Sequence, residues 1–209
     1  MTGKPRADSS GAEPDPAVAG SSLAWVSATF GRHAYLVADD GRARTAVMRG
    51  RRHDVVVGDR VSFTELGSDQ AVIERVLERR NLIRRCDDNR QKALAANVDQ
   101  VALVVGGDPP YDEELLLRVM VAAEAEGVES LVVATKSDLP DATARIEPRL
   151  ALYQRLGYPV LRVSARRSPQ ATIAALAPRL RSRVTLLMGE SGMGKSTLVN
   201  TLVPQADLR

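Results

Sequence analysis

The residues best suited to chemistry lie together near the end of the 209-residue chain, in Gly189-Glu190-Ser191-Gly192-Met193-Gly194-Lys195-Ser196-Thr197. Gly189 to Ser196 fits the pattern G-x-x-x-x-G-K-[ST]. Its glycines free the backbone to curl so that N–H groups face a chain of phosphates. The apolar run Val184 to Met188 leads in with strand character, and Thr197 to Leu202 leads out with helical character. That is the setting this motif requires. A helix opening near Lys195 turns the positive end of its dipole to the same place. Lys195 is expected to reach the β- and γ-phosphates of a nucleotide, and Ser196 to ligate Mg²⁺.

Two other loops carry residues that could read a base. Thr135-Lys136-Ser137-Asp138 follows the strand-type run Leu131 to Ala134, and Ser164-Ala165 follows Val160 to Val163. Guanine presents N1–H and N2–H₂ donors on one edge. An ionised Asp138 can accept both, and adenine has no such donor pair. The Lys136 stem can cover a base plane while its ammonium stays solvated. The backbone N–H of Ala165 can meet guanine O6. Each short motif alone recurs by chance. Their joint placement after successive strands, with a phosphate loop after a third, points to GTP or GDP with Mg²⁺.

These loops need a frame to hold them. From Asp99 onward, strand and helix patterns alternate: Val101–Val105, Asp112–Glu126, Leu131–Ala134, Ala142–Leu156, Val160–Val163 and Ala171–Leu180, then the phosphate-loop strand and helix. Four strand–loop–helix units predict an α/β domain with a parallel sheet, helices on both faces and ligands at the carboxyl ends of the strands. Ahead of it, residues 23–80 show about five short strands divided by turn signals, with no long helix. A small all-β barrel of OB type is the expected solution. Residues 1–22, rich in Gly, Ala, Ser, Pro and Asp, are expected to be a disordered tail. Residues 81–98 are expected to be a polar linker, and 99–209 the nucleotide domain.

Barrels of this kind often bind oligonucleotides. Arg49, Arg51 and Arg52 in one basic loop, with Arg84 and Arg85 after the last barrel strand, are candidate contacts to an RNA backbone. A solvated basic rim accounts for them equally well. Aromatic residues are only 3% of the chain, so such a surface would rely on charge more than on ring stacking. The net charge of +3 is weak support for a polyanionic partner. Hydrophobic content of 44% is enough for real cores. Cys86 is the single cysteine, which excludes an internal disulfide and a cysteine-based metal site within these residues. No apolar run spans a membrane and no secretory signal opens the chain, so a reducing, cytoplasmic setting is expected.

The base motif resembles the Asn-Lys-x-Asp sequence of GTPases, with Thr135 where Asn is usual. Its order is unusual, because the base motif and the Ser-Ala pair precede the phosphate loop, as in circularly permuted GTPases. An OB-like domain, Asn81-Leu82-Ile83-Arg84-Arg85 and Ala95-Ala96-Asn97-Val98-Asp99-Gln100 extend the likeness from about residue 23 to the end. The chain thus resembles the RsgA (YjeQ) family of small-subunit ribosome biogenesis GTPases. The resemblance implies a P-loop NTPase fold in permuted order, binding of GTP and GDP with Mg²⁺ through Thr135–Asp138, Ser164–Ala165 and Gly189–Thr197, and ribosome-stimulated GTP hydrolysis. It also implies a small ribosomal subunit partner with its 16S rRNA, a monomeric state and no membrane. In the family a threonine-rich switch, Asp-x-x-Gly and a zinc module follow the phosphate loop. None of these lies before Arg209, so Zn²⁺ is expected outside these residues and the 209 residues are expected to hydrolyse GTP poorly. Two other readings stand beside this one: a P-loop ATPase or kinase, and an RNA-binding module with a vestigial nucleotide domain.

Overall fold

A computed structural model describes residues 22–48, 54–87 and 90–206. The chain divides into two compact units, Met1–Val55 with Arg60–Leu77, and Val56–Asp59 with Glu78–Arg209.

In the first unit five strands close into a barrel: β1 (Ser22–Phe30), β2 (His33–Ala38), β3 (Ala43–Met48), β4 (Arg60–Glu65) and β5 (Gln70–Val76). Their order is β1-β2-β3-β5-β4. β3 and β5 run parallel and the other pairs antiparallel. Strict alternation builds the interior. In β2, Ala34, Leu36 and Ala38 are buried while His33, Tyr35 and Val37 face out. Small alanines at interior positions leave room for Phe63, Leu36 and Ile73 to fill a narrow barrel. Arg44 takes an inward position, its guanidinium bonding Asp40 and Glu65 through the terminal nitrogens and lying 5.4 Å from the Phe63 ring centroid, while its buried Nε has no partner among the described residues. The OB-like reading of this region is correct.

The aromatic content is distributed less evenly than its low total implies. Trp25, Phe30 and Tyr35, three of the chain's seven aromatic residues, are exposed on β1 and β2. Of the tail expected at 1–22, residues 1–21 lie outside the described residues, as does the basic loop with Arg49, Arg51 and Arg52, while Ser22 already opens β1.

The second unit begins with a correction. Residues 81–98 are no linker, because β6 (Leu82–Asp87) and β7 (Arg90–Ala96) form an antiparallel hairpin. Ile83, Ala95, Ala96 and Val98 are buried, and the Leu82 N–H donates to the Glu126 carboxylate at 3.0 Å. Ala93-Leu94-Ala95-Ala96 has no β-branched residue to announce a strand, so the pairing is decided by what it packs against. Val56–Asp59 joins this unit through a Val57–Ala95 bridge and through the fully buried Asp59, which accepts from Arg79 at 2.7 and 2.9 Å. Gly58 is required at φ +86°, because a Cβ there would stand 2.1 Å from the Ala96 carbonyl oxygen.

Next come β8 (Gln100–Val105), α1 (Glu113–Ala125), β9 (Glu129–Ala134), α2 (Pro140–Arg155), β10 (Val160–Arg162), α3 (Pro169–Leu180), β11 (Thr185–Met188) and α4 (Lys195–Leu202). The four later strands form a parallel sheet in the order β10-β9-β8-β11. β8 is buried throughout because both of its faces are covered. Val101, Leu103 and Val105 pack with Leu116 and Met120 of α1 and Ile146, Leu150 and Tyr153 of α2. Ala102 and Val104 pack with Leu176 of α3 and Leu198 of α4. Each large apolar side chain so buried contributes about 1.5–3 kcal/mol. This packing brings the loops after β9, β10 and β11 to one end of the sheet.

Candidate nucleotide site

The turn between β11 and α4 is shaped by contact as much as by motif. Gly189 has φ +152°, and a Cβ there would stand 2.3 Å from the carbonyl oxygen of Val104. The loop therefore crosses β8 closely enough that no other residue fits without moving the strand. Gly194 caps α4 in the left-handed region, at φ +85°. Met193 anchors the loop from below, since its side chain is buried against the sheet and α4. The Lys195 ammonium donates to the carbonyls of Gly189 at 2.7 Å and Glu190 at 2.6 Å. Glu190 turns toward α1, where its Oε2 accepts from the Asp112 N–H at 2.7 Å.

Thr135 joins this loop to the one after β9. Its buried hydroxyl lies 2.7 Å from the Met193 carbonyl and 3.1 Å from that of Val105. Donating to Met193 ties the phosphate loop to the base motif. A shorter hydroxyl thus reaches the loop from a position where GTPases usually carry an amide.

The remaining residues expected to read a base lie near one another, and one of them differs from expectation. The Lys136 ammonium is not simply solvated: it donates to the Asp108 carbonyl at 2.6 Å, with Lys136 itself at φ +56°. Ser137 contributes backbone, its N–H donating to Val163 O at 3.2 Å. The Ser164 hydroxyl donates to Asp138 Oδ1 at 2.5 Å and accepts from the Arg167 N–H at 3.3 Å. The Ser164 bond, then the N–H of Asp138 itself, hold the Asp138 carboxyl below its ordinary value, and the charge of Arg167 adds to this. Asp138 is therefore a carboxylate with one oxygen steadied by a neighbour.

A cavity of about 600 Å³ opens over these loops. Thr135, Lys136, Asp138, Ser164 and Ala165 line one end; Ser191, Gly192, Gly194, Lys195, Ser196 and Thr197 line the other. Ser137, Gly189, Glu190 and Met193 stand behind the wall and shape it. Leu139 and Arg166 also line the cavity. The sequence reading missed both, and the only available signal was that each directly follows a motif residue.

Arg84 and Arg85 stand apart from this cavity, on β6. Arg84 is 3.5 Å from Glu126, and Arg85 lines a smaller cavity of about 130 Å³ bounded by β8, α1 and Glu190. Among the described residues, no group of three or more His, Cys, Asp or Glu is placed to hold a metal ion, and no helix is long and apolar enough to cross a membrane.

Comparison with known proteins agrees with this geometry. A family model described as RsgA GTPase matches residues 76–209. The small ribosomal subunit biogenesis GTPase RsgA of Paraburkholderia xenovorans is 46% identical over 184 residues, covering 88% of this chain and 58% of that protein. The chain thus spans less than three fifths of the length of the curated relatives it matches. Among solved structures, YjeQ from Thermotoga maritima superposes with a TM-score of 0.69 at 29% identity, covering 90% of this chain and 67% of that one. YloQ, a circularly permuted GTPase, gives a TM-score of 0.61 at 22% identity over 92% of this chain and 68% of that one, a likeness of fold alone. With the barrel, the parallel sheet and the motif order in agreement, the chain belongs to the RsgA GTPase family.

Proposed function

We propose that this chain binds GTP and GDP with Mg²⁺ and serves a GTP hydrolase that acts in biogenesis of the small ribosomal subunit. One observation carries the reading: a single cavity is lined at one end by Asp138, Lys136 and Ala165 and at the other by the phosphate loop. The loop's N–H groups and the start of α4 favour a polyphosphate, and Lys195 exchanges its two carbonyl contacts for phosphate oxygens. Asp138, ionised and oriented by Ser164, accepts from guanine N1–H and N2–H₂, and the Ala165 N–H meets O6. Ser196 fits the role of Mg²⁺ ligand because it sits in the first turn of α4 and lines the cavity. Mg²⁺ held there by Ser196 would supply positive charge against the polyphosphate.

The relatives are named for the small ribosomal subunit, and that subunit with its 16S rRNA is the proposed partner of a monomeric, cytoplasmic protein. Arg84 and Arg85, with the arginine-rich stretch Arg49–Arg52, are the proposed RNA contacts. Competition of labelled GTP by unlabelled GDP and ATP tests the nucleotide assignment. GDP is expected to displace the label and ATP to leave it bound; displacement by ATP would favour the ATPase or kinase reading. Binding to small subunits is expected to weaken steeply with salt, and salt-independent binding would remove the RNA-backbone assignment.

A further inference from the structure

The phosphate loop holds two charged side chains, Glu190 and Lys195. A carboxylate is out of place in a loop shaped for phosphates, because like charges repel. The fold turns it away. Lys195 lines the nucleotide cavity, whereas Glu190 lines the smaller cavity of about 130 Å³ against β8 and α1. There Glu190 Oε2 accepts from the Asp112 N–H at 2.7 Å. The place suits an anion. Asp112 caps α1, its carboxylate accepting from the Glu114 N–H at 2.8 Å and the Leu115 N–H at 3.3 Å. Its own N–H is left for Glu190, at the positive end of the helix.

Glu190 is thus held at two points. Its carbonyl accepts from the Lys195 ammonium at 2.6 Å, and its side chain from the Asp112 N–H. When Lys195 turns to a phosphate the first hold is lost, and the bond to Asp112 remains. The loop that ends at Asp112 also lies against the phosphate loop elsewhere, since a Cβ on Gly192 would stand 3.2 Å from the Pro109 ring. The same loop reaches the other end of the nucleotide cavity, where the Asp108 carbonyl accepts from Lys136 at 2.6 Å.

We propose that Glu190 is a positioning residue for the phosphates: by its bond to the Asp112 N–H it fastens the phosphate loop to the start of α1 and keeps its own negative charge off the nucleotide. Glu190 takes this role on the guanine-nucleotide reading above. It makes no contact with the ligand and acts through Asp112. The bond and the charge have opposite effects on phosphate binding, and substitution separates them. Gln keeps an acceptor for the N–H and drops the charge. Ala drops both. Asp keeps the charge on a side chain one methylene shorter, which cannot reach the N–H from the same backbone.

Calorimetric titration of the 209-residue chain and its Glu190→Ala, Glu190→Gln and Glu190→Asp variants with GMP, GDP and GTP in the presence of Mg²⁺ tests this. Glu190→Ala is expected to weaken GDP and GTP about three- to tenfold, and GMP by less, since the loop and Lys195 hold mainly the phosphates beyond the first. Glu190→Gln is expected to recover most of that loss, and Glu190→Asp to bind GTP more weakly than Glu190→Ala. Unchanged or tighter GTP binding by Glu190→Ala would overturn the proposal. So would an equal loss for all three nucleotides, no recovery in Glu190→Gln, or Glu190→Asp binding GTP as well as Glu190→Ala. Failure of the underlying reading shows instead in the unsubstituted chain, which would then bind GDP no better than ADP. Circular dichroism of each variant separates misfolding from a lost bond, since Glu190 belongs to neither buried cluster of the sheet.

Discussion

At the phosphate-loop end the cavity is lined by residues of one continuous stretch, Ser191 to Thr197. At the Asp138 end it is lined by residues of two loops separated by all of α2, joined by the bond from the Ser164 hydroxyl to Asp138. The first end is specified by a short stretch: Gly189, where a Cβ would strike Val104, and a helix start where a dipole is wanted. The second exists only once β9 and β10 pair in register, with Val132 beside Val160 and Ala134 beside Arg162. Thr135 is the bond between them, through its contact to Met193 O. Affinity should therefore reside chiefly at the first end and discrimination between bases at the second, with Thr135 influencing both.

The sharpest way to break this contrast is Lys195→Ala. Loss of a charge-assisted contact to two phosphates is expected to weaken GTP and GDP by about a hundredfold without changing the preference for guanine over adenine. Nucleotide competition measures both quantities, and a shift in base preference would mean the two ends are not separable. Asp138→Asn comes next. It is expected to weaken GDP by about tenfold or more, while improving xanthosine diphosphate, whose 2-oxo group can accept from the new amide. Parallel GDP and XDP titrations check this, and equal loss of both would show that Asp138 supports the loop and does not read the base.

Thr135→Ala tests the bond itself. Removing the hydroxyl leaves the Met193 carbonyl without that donor in a buried place and is expected to cost about 1–3 kcal/mol of stability in chemical denaturation, with a smaller fall in GDP affinity. Thr135→Ser, which keeps the donor, should lose less than half of that. The smallest effect concerns pH. Asp138 is held below its ordinary value of 3.8, so its charge is fully present above that value and is lost only as pH falls through the lowered one. GDP affinity should stay level from about pH 7 to about pH 5. Ser164→Ala removes the main cause of the lowering. Its affinity is expected to start falling at higher pH than that of the unsubstituted chain, and superimposable profiles would show that the Ser164 bond does not control Asp138.

Legibility in the sequence followed how local the physics was. Strands β8, β9 and β11 announced themselves as continuous apolar runs, because a parallel strand covered on both faces has no polar side to show. The barrel strands were legible through alternation and turn residues. The hairpin β6–β7 was not, because Leu82-Ile83 and an alanine run carry little pattern of their own and become strands only against Glu126 and the core around Ile83. In the site, motif residues were found where a spacing rule exists. Leu139 and Arg166 have no such rule, and only the shape of the cavity includes them.

What the sequence determined by itself is the set of candidate groups: a stretch with the phosphate-loop pattern, a carboxylate proposed to distinguish guanine from adenine, and an order of motifs circularly permuted from the usual one. These depend on residue type and on neighbours a few positions away. The tertiary structure decided which groups act together. It placed Thr135 against Met193, 58 positions later in the chain, set Ser164 to steady Asp138, turned Lys136 to Asp108, and brought Leu139 and Arg166 to the cavity wall. Such pairings arise from sheet register and from packing on both faces of β8, and no local pattern encodes them.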